Sequence, residues 1–449
     1  MNNIRRLRIA ILFTAGILAI FLVPALSAQS PSSGVYAITH AKIFTLAGAP
    51  IEDGTLVIRD GKIAAVGAGV EIPAGAQVID AKGLQIYPGL FDSITQMGLR
   101  EIGAVSATVD SAETGNYNPD VVAATAVSPS SEHIPVTRAA GITEVLAVPA
   151  SGGMDFFGPG GVIGGQASAI HLSGWTIDEM LLKKSAAMVL NWPEIETQTF
   201  DFATFSRKEK PYADAKQEYD KQVNELTDWL DRARHYAQAV EKGSTAKYER
   251  DLKLEAFGPV LRGELPLLVF ADRAREIRNA VEFCDKQKLR MILAGGAEAY
   301  KVKDLLRSKD IPVILRPMLT LPLDEDDPYD RLLSQPAELA AAGVKFAIAS
   351  FDNSFARRLG QNAANAVAHG LSYDEALRAV TVTPAEIFGL ADQVGTLQPG
   401  KGANLIVTNG DPLELTTDVR YLFIKGQLTS TNNRHKSLYE KYLNRPKAR

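Results

Sequence analysis

The sequence predicts a (β/α)8 barrel, the TIM-barrel fold, joined to a small β-sandwich built from an N-terminal and a C-terminal segment. Three observations support this fold class. Short strand-like runs with turn signals occupy residues 36–87, apolar runs alternate with helical stretches over residues 88–390, and strand character returns at residues 391–428. Repeated strand–helix alternation is typical of a parallel α/β fold, and roughly 250 residues suit a barrel of eight units. A doubly wound open sheet is the alternative, but no Gly-x-Gly-x-x-Gly follows the first strand of the alternating region.

The overall composition is that of a globular protein. Of 449 residues, 46% are hydrophobic and 22% are charged, and the formal net charge is −4. This balance argues against a disordered chain. It also argues against a nucleic-acid-binding protein, which normally shows a basic excess. The only cysteine is Cys284, so an intrachain disulfide is excluded.

The first 28 residues have the pattern of a secretory signal peptide. Arg5, Arg6 and Arg8 precede an apolar run at residues 9–23, and small residues follow up to Ala28. A charged segment, an apolar segment and a small-residue cleavage site predict export, with cleavage after Ala28. We expect a periplasmic or secreted mature protein, with the Gram-negative periplasm as the preferred compartment. An uncleaved anchor is the alternative, although about 15 apolar residues are short for a span.

The N-terminal β segment contains several short strands. Residues 41–46 and 55–59 have strand composition, and Asp60-Gly61 marks a hairpin turn that returns through residues 62–66. A further strand follows at residues 77–80. This module is too small to be stable alone, so we expect residues 391–428 to complete it as one domain beside the barrel.

Residues 88–390 carry the alternating pattern of the barrel. A charged, helical stretch at about residues 176–256 interrupts it and is predicted to be an insertion. The tail at residues 429–449 is polar and basic, and we expect it to be loosely ordered. The apolar runs that predict barrel strands lie at residues 141–148, 267–270, 290–293, 311–315 and 345–349, and helical periodicity lies between them at residues 275–287 and 299–308.

Three stretches carry a family signature in a fixed order. The first runs from Glu52-Asp53-Gly54-Thr55 to Pro88-Gly89-Leu90-Phe91-Asp92, the second contains Thr383-Pro384-Ala385, and the third runs from Val394-Gly395-Thr396-Leu397 to Asn404-Leu405. Their order and spacing resemble the amidohydrolase superfamily, specifically its imidazolonepropionase-like, exported branch. The resemblance implies a metal-dependent barrel beside a composite β-sandwich. It also implies hydrolysis of non-peptide C–N bonds, in amides or cyclic amides.

The metal ligands that the resemblance implies are missing from this chain. In the family, a His-x-His at the end of the first barrel strand holds Zn²⁺ or a similar divalent metal, because residues i and i+2 of a strand point to the same side. The two positions here are Ile94 and Gln96. Isoleucine has no donor atom, and a neutral amide oxygen is a poor ligand for Zn²⁺.

Other ligand positions are also changed. The family's fifth-strand histidine position falls on Phe270, and the sixth-strand stretch, residues 293–298, contains no histidine. The chain has six histidines and neither a His-x-His nor a His-x-x-x-His. A binuclear histidine site of the family type is therefore excluded, and no cofactor is expected.

A few polar residues remain as candidates for a reduced site. Asp352 occupies the position of the family's eighth-strand aspartate, which binds metal and moves a proton; the alternative is an aspartate that caps the following turn. His171, at a predicted strand end, and Asp272, just past the fifth strand, are further candidates, although a structural role is the alternative for each. The acidic run at residues 324–327 is either a solvated loop or a weak Ca²⁺ site.

These observations lead to three hypotheses. The first is an exported amidohydrolase-family protein with a degenerate metal site, inactive or weakly active, that binds a small molecule as a pseudoenzyme. The second is an active hydrolase with a reduced or metal-free site centred on Asp352. The third is a non-catalytic partner subunit of an active paralogue, in a homo- or hetero-oligomer. We expect no nucleic-acid partner and no stable membrane span after cleavage.

Overall fold

The computed structural model describes residues 34–149, 161–201, 204, 206–243 and 250–446. The predicted signal peptide at residues 1–28 lies outside the described residues. The predicted fold class is confirmed, because one sheet of eight strands forms a nearly closed barrel and a second sheet lies beside it. The strands are β1 (Tyr36–Ile43), β2 (Ile51–Arg59), β3 (Lys62–Gly67), β4 (Gln77–Asp80), β5 (Gln85–Pro88), β6 (Leu90–Thr95), β7 (Ile142–Ala147), β8 (Ile163–His171), β9 (Leu181–Asn191), β10 (Gln198–Asp201), β11 (Ser206–Glu209), β12 (Leu267–Ala271), β13 (Met291–Gly295), β14 (Val313–Leu315), β15 (Phe346–Ile348), β16 (Leu405–Thr408), β17 (Val419–Ile424) and β18 (Gln427–Thr429).

The second sheet also has eight strands and joins the N-terminal and C-terminal segments. Its order is β18-β17-β16-β5-β1-β2-β3, and β4 pairs with β1. Strand β16 pairs antiparallel with β5, so the C-terminal segment extends the N-terminal sheet at that edge. Alternating side chains of these strands form one apolar core, as the period-2 pattern of a half-buried strand requires. Ile38, Leu56, Leu405 and Phe423 are fully buried in it.

The barrel sheet has the order β15-β14-β13-β12-β9-β8-β7-β6. The last strand returns to the first, because the backbone N–H of Phe351, just after β15, donates to the carbonyl of Ile94 in β6 at 3.0 Å. Strands β12 to β15 pair in parallel, as do β9 and β12. Their side chains are buried on both faces, which explains why the sequence shows continuous apolar runs rather than alternation.

One strand runs against the predicted parallel order. Strand β8 is antiparallel to both β7 and β9. The connection from β8 to β9 contains only the four-residue helix at Ile177–Met180. A parallel crossover needs a dozen or more residues, whereas an antiparallel pair can be joined by a short link. Reversal of β8 therefore follows from the short connection.

The helices mostly cover the outside of the barrel. The helices are α1 (His133–Arg138), α2 (Ile177–Met180), α3 (Tyr212–Glu241), α4 (Leu252–Ala256), α5 (Gly258–Leu261), α6 (Ala274–Gln287), α7 (Lys303–Ser308), α8 (Arg331–Ala341), α9 (Leu359–Ala368), α10 (Tyr373–Ala379), α11 (Val382–Ile387) and α12 (Arg434–Leu443), with 3₁₀ turns at Ser106–Thr108, Ala123–Thr125, Ala299–Val302 and Ala356–Arg358. The helix α6 shows the usual pattern, since Ile277, Ala280, Val281 and Cys284 are buried on one side. Among the described residues, no helix is long and apolar enough to cross a bilayer.

Two segments differ from the sequence analysis. The stretch predicted as an insertion at 176–256 begins inside the barrel, because Leu181–Asn191 forms the fourth barrel strand, β9. The first half of β9 contains Lys183 and Lys184, and the second half is apolar and buried. The two lysines made the stretch resemble the charged insertion. The tail predicted as loosely ordered contains the helix α12, none of whose residues is buried.

Candidate functional site

A cavity of about 800 Å³ opens at the carboxyl ends of the parallel barrel strands. Residues just past β9, β12 and β14 line it, including Trp192, Asp272 and Arg316. Barrels of this type carry their ligand sites at this end, because the loops after the strands converge there. A ligand site of this barrel is therefore expected at this cavity.

The barrel interior below this cavity is apolar. Ile94 is fully buried and Phe270 is 5% exposed, and both belong to one buried cluster that fills the barrel. Ala294, within the sixth-strand stretch at residues 293–298, is buried in the same cluster. Ile94 and Phe270, two positions that hold metal ligands in the resembled family, therefore contribute only carbon atoms to a packed interior. These residues do not fit a divalent metal, which needs nitrogen, oxygen or sulfur donors.

The side chain of Gln96 is also poorly suited to bind a divalent metal. Its side chain is buried, with 2% exposure, and Arg100 Nη1 donates to its Oε1 at 3.5 Å. A neutral amide that already accepts from a guanidinium group has no charge to offer a cation. The chemistry of the donor set at the end of β6 therefore disagrees with a zinc or manganese site.

Asp352 lies at the predicted end of the barrel, four residues after the last residue of β15. Its Oδ1 accepts the backbone N–H groups of Ser354 at 2.6 Å and of Phe355 at 3.0 Å. Such contacts are those of an aspartate that caps a turn, which is the structural alternative considered from the sequence. A catalytic role for Asp352 stays a prediction.

Asp92 is the one acid of the first barrel strand, β6. It is 0% exposed, its Oδ1 accepts the backbone N–H of Ser350 at 2.9 Å, and its Oδ2 has no partner among the described residues. Burial raises the pKa of the Asp92 carboxyl from 3.8 to about 7, against the lowering effect of the hydrogen bonds from Ser350. Asp92 therefore holds a proton at mildly acidic pH. Asp92 is not among the site residues predicted from the sequence.

Asp272 is held in the cavity wall by a bidentate ion pair with Arg316. Arg316 Nε donates to Oδ1 at 3.1 Å, and Arg316 Nη2 lies 2.7 Å from Oδ2. The backbone N–H of Ala297 also donates to Oδ1, at 3.2 Å. The Arg316 guanidinium lies 5.5 Å from the centre of the Phe351 ring, within the range of a cation–π contact. Asp272 is thus a fixed negative charge that Arg316 neutralises.

Glu194 is an acid of the same wall that sequence reasoning missed. Its side chain is exposed to the cavity, and yet its pKa is raised, because surrounding protein desolvates the carboxylate and Asp272 and Glu196 add negative charge nearby. Glu194 follows β9 by three residues. A strand end at residues 186–191 would have pointed to it, but that stretch falls within the insertion predicted at residues 176–256.

His171 lies at the wrong end of the barrel for the role considered from the sequence. Because β8 runs antiparallel to β7, its carboxyl end lies beside the amino half of β7, where His171 pairs with Glu144. The His171 Nδ1 is 3.3 Å from Glu144 Oε1, and both side chains are buried. The candidate group of His171, Asp272 and Asp352 is therefore not assembled at the mouth.

The acidic run at residues 324–327 comes close to Glu298. Ligand atoms of Glu298, Asp324 and Asp327 lie within 4.8 Å of one another. Two of these acids already have cationic partners: Arg273 bonds Asp324 at 2.9 Å, and Lys301 bonds Glu298 at 2.8 Å. The cluster is therefore bound within the protein, as in the solvated-loop interpretation, and we assign no ion to it.

The helix α3 of the insertion lies along one side of the cavity. Ala215, Glu218, Gln222 and Glu225 line the cavity from this helix, at spacings of three and four residues that place them on one face. Farther along the helix, Trp229 packs edge-on against Phe257 with ring centres 4.9 Å apart. The insertion thus lies beside the strand ends and contributes a polar wall to the mouth of the barrel.

Comparisons with known proteins find similarity to amidohydrolases. The model of the amidohydrolase family matches residues 333–431 of this chain. The amidohydrolase tasK of Hapsidospora irregularis is 24% identical over 386 residues, which cover 81% of this chain and 38% of that protein. The chain therefore spans about two fifths of the length of this curated relative.

Solved structures show the same architecture. An amidohydrolase from Thermotoga maritima MSB8 superposes with a TM-score of 0.75 at 26% identity, over 88% of this chain and 99% of that one. Molinate hydrolase superposes with a TM-score of 0.54 at 15% identity, over 89% and 95% of the two chains. The second similarity concerns the fold alone.

Proposed function

The chain belongs to the amidohydrolase family, and from that premise we propose that it binds a small molecule at the barrel mouth without metal-dependent hydrolysis. One observation carries this proposal. The positions that hold metal in the resembled family are occupied by Ile94 and Phe270, which pack in one buried apolar cluster. Rebuilding a metal site there would require donor atoms that these side chains do not have.

The cavity supports the binding part of the proposal. Its volume of about 800 Å³ suits a small molecule, and convergent polar groups line it. The Asp272–Arg316 pair gives the wall a fixed hydrogen-bonding feature. Loss of the metal removes the means to activate water at neutral pH, but it leaves a shaped binding site intact.

A second candidate function is metal-free hydrolysis, and Glu194 favours it over a site centred on Asp352. The raised pKa of Glu194 in a cavity makes it a candidate proton donor, whereas Asp352 Oδ1 is engaged with two backbone N–H groups. In this interpretation water would add to the amide carbonyl carbon and Glu194 would protonate the leaving nitrogen as the C–N bond breaks; the proton lost by the water would then return to Glu194. The hypothesis of a partner subunit for an active paralogue stays a prediction.

We also propose that the protein is exported. The support is the charged, apolar and small-residue order of residues 1–28. Fractionation of the producing cells, followed by determination of the mature N-terminus, tests this proposal. A mature protein that begins at Gln29 is the expected result.

A ligand screen with two matched variants tests the binding function. Gln222 lines the cavity from α3, whereas Gln217 is exposed on the same helix and does not line it. We expect ligands that raise the melting temperature of the wild type to lose their effect in Gln222→Trp and to keep it in Gln217→Trp. A ligand at 100 times its Kd stabilises by about 2.7 kcal/mol, which such an assay detects.

Two outcomes would count against the proposal. Ligand effects that persist in Gln222→Trp would place binding outside this cavity. Hydrolysis of amides or cyclic ureides that is lost on chelation would show a metal site. Hydrolysis that survives chelation and is lost in Glu194→Gln would instead support the second candidate.

A further inference from the structure

Negative charge dominates the wall of the mouth cavity. Six carboxylates line it, against two guanidinium groups. Arg316 is engaged by Asp272 on both carboxylate oxygens, and Arg100 donates to Gln96. Since Arg316 neutralises Asp272, five carboxylates remain against the one positive charge of Arg100 among the described residues that line the cavity. The carboxylates belong to Glu113, Glu194, Glu196, Glu218, Glu225 and Asp272.

Three of these acids have no ion pair among the described residues: Glu113, Glu194 and Glu196. The other two glutamates, Glu218 and Glu225, contact lysines that do not line the cavity. Concentrated negative charge in a concave site raises the local concentration of cations. The pKa of Glu194 is raised partly by Asp272 and Glu196, which is the effect that a negative potential has on a carboxyl.

A second and separate observation is an apolar recess beside the cavity. It has a volume of about 130 Å³ and shares the Asp272–Arg316 pair with the larger cavity as a common wall. Leu315 and Met318 form its buried side, while Leu321 at its edge is 88% exposed. A leucine that is this exposed beside a recess gains stabilisation when an apolar group covers it.

We propose that the ligand of the barrel mouth is an amphiphilic cation, with an ammonium or guanidinium group in the acidic cavity and an apolar chain in the recess. This inference rests on the proposed small-molecule function and names its ligand class. Charge selects the cationic end, and the recess selects a short apolar substituent of a few carbon atoms.

A matched series of four probes tests the inference by calorimetric titration of the full mature protein. The probes are hexylammonium, hexanol, hexanoate and methylammonium. We expect hexylammonium to bind at least tenfold more tightly than each of the others, and added salt to weaken its binding, because salt screens charges in solvent-accessible sites. Equal or tighter binding of hexanol or hexanoate would overturn the inference.

Variants separate the two halves of the proposed site. We expect Glu194→Gln combined with Glu196→Gln to weaken hexylammonium roughly tenfold, because two charges that face the ligand are removed. Leu321→Ser should weaken hexylammonium about fivefold and leave methylammonium unchanged, since it removes apolar contact only. Glu71→Gln, an exposed change in the small β domain outside the cavity, is the matched control and should have no effect.

The outcomes distinguish this inference from the proposed function. Neutral or anionic ligands that bind in a manner sensitive to Gln222→Trp, together with no preference for hexylammonium, would refute the amphiphilic cation and leave the binding function standing. Hexylammonium binding that survives both the glutamate variants and Leu321→Ser would also refute it. A metal at one ion per chain would refute the proposed function itself.

Discussion

The substitution Asp92→Asn should change how the stability of the protein depends on pH. The wild-type carboxyl is 0% exposed, and its pKa is raised from 3.8 to about 7 by burial. An acid with a raised pKa binds more protons in the folded than in the unfolded state. Its contribution to stability is therefore complete below the unfolded pKa and is lost as pH rises toward 7.

The magnitude of this loss follows from the pKa difference. Three pKa units at about 1.4 kcal/mol each give a total of about 4 kcal/mol. Of this total, roughly 2.5 kcal/mol is lost between pH 5 and pH 8. The amide side chain of the variant would not titrate, and its oxygen can still accept the N–H of Ser350. The free energy of unfolding of the variant, relative to that of the wild type, should therefore increase by roughly 2.5 kcal/mol from pH 5 to pH 8.

Urea unfolding of both proteins at pH 5 and pH 8 measures this difference. Glu276 also has a pKa raised to about 7, mainly by burial, but its effect is present in both proteins and cancels in the comparison. Asp53→Asn, a change of the same type at an exposed position of β2, is the control and should show no pH-dependent gain. A constant difference between wild type and Asp92→Asn at the two pH values would refute the reasoning.

Two further predictions concern the barrel and its mouth. Ile94→Ala should destabilise the fold by about 3 kcal/mol in urea unfolding, because it opens a cavity in the buried cluster; a loss below ~1 kcal/mol would show a loosely packed interior. Asp272→Asn should lower the pKa of Glu194, because Asp272 raises it, whereas Arg316→Met should raise it further, because Arg316 lowers it. NMR titration of the Glu194 carboxyl carbon checks both directions, and a shift of the same sign in both variants would contradict the charge assignment.

Much of the fold could be predicted because local signals coincide with the tertiary structure. The Asp60-Gly61 turn joins β2 and β3, and the apolar runs at 267–270 and 345–349 coincide with β12 and β15 within a few residues. Strand direction could not be predicted from these local signals. An apolar run such as that of β8 has the same composition in either direction, and only the short link to β9 decides which way it runs.

Of the candidate site, only the loss of the family's metal ligands could be predicted from the sequence. The absence of histidines at Ile94 and Gln96 is visible in the sequence, and the structure adds that Ile94 packs with Phe270. The acidic cavity could not be predicted, because it depends on how helix α3 packs beside the strand ends. Sequence distance also hides the pairing of Asp272 with Arg316 rather than with its neighbour Arg273, which bonds Asp324.

The central claim is that the barrel mouth binds no catalytic metal. Metal content per chain tests it most directly, measured by mass spectrometry on the mature protein after dialysis against Zn²⁺ and Mn²⁺ and then against metal-free buffer. A stoichiometry close to zero is predicted, because Ile94 and Phe270 offer no donor atoms. A stoichiometry close to one that falls in variants of residues lining the cavity would contradict the claim.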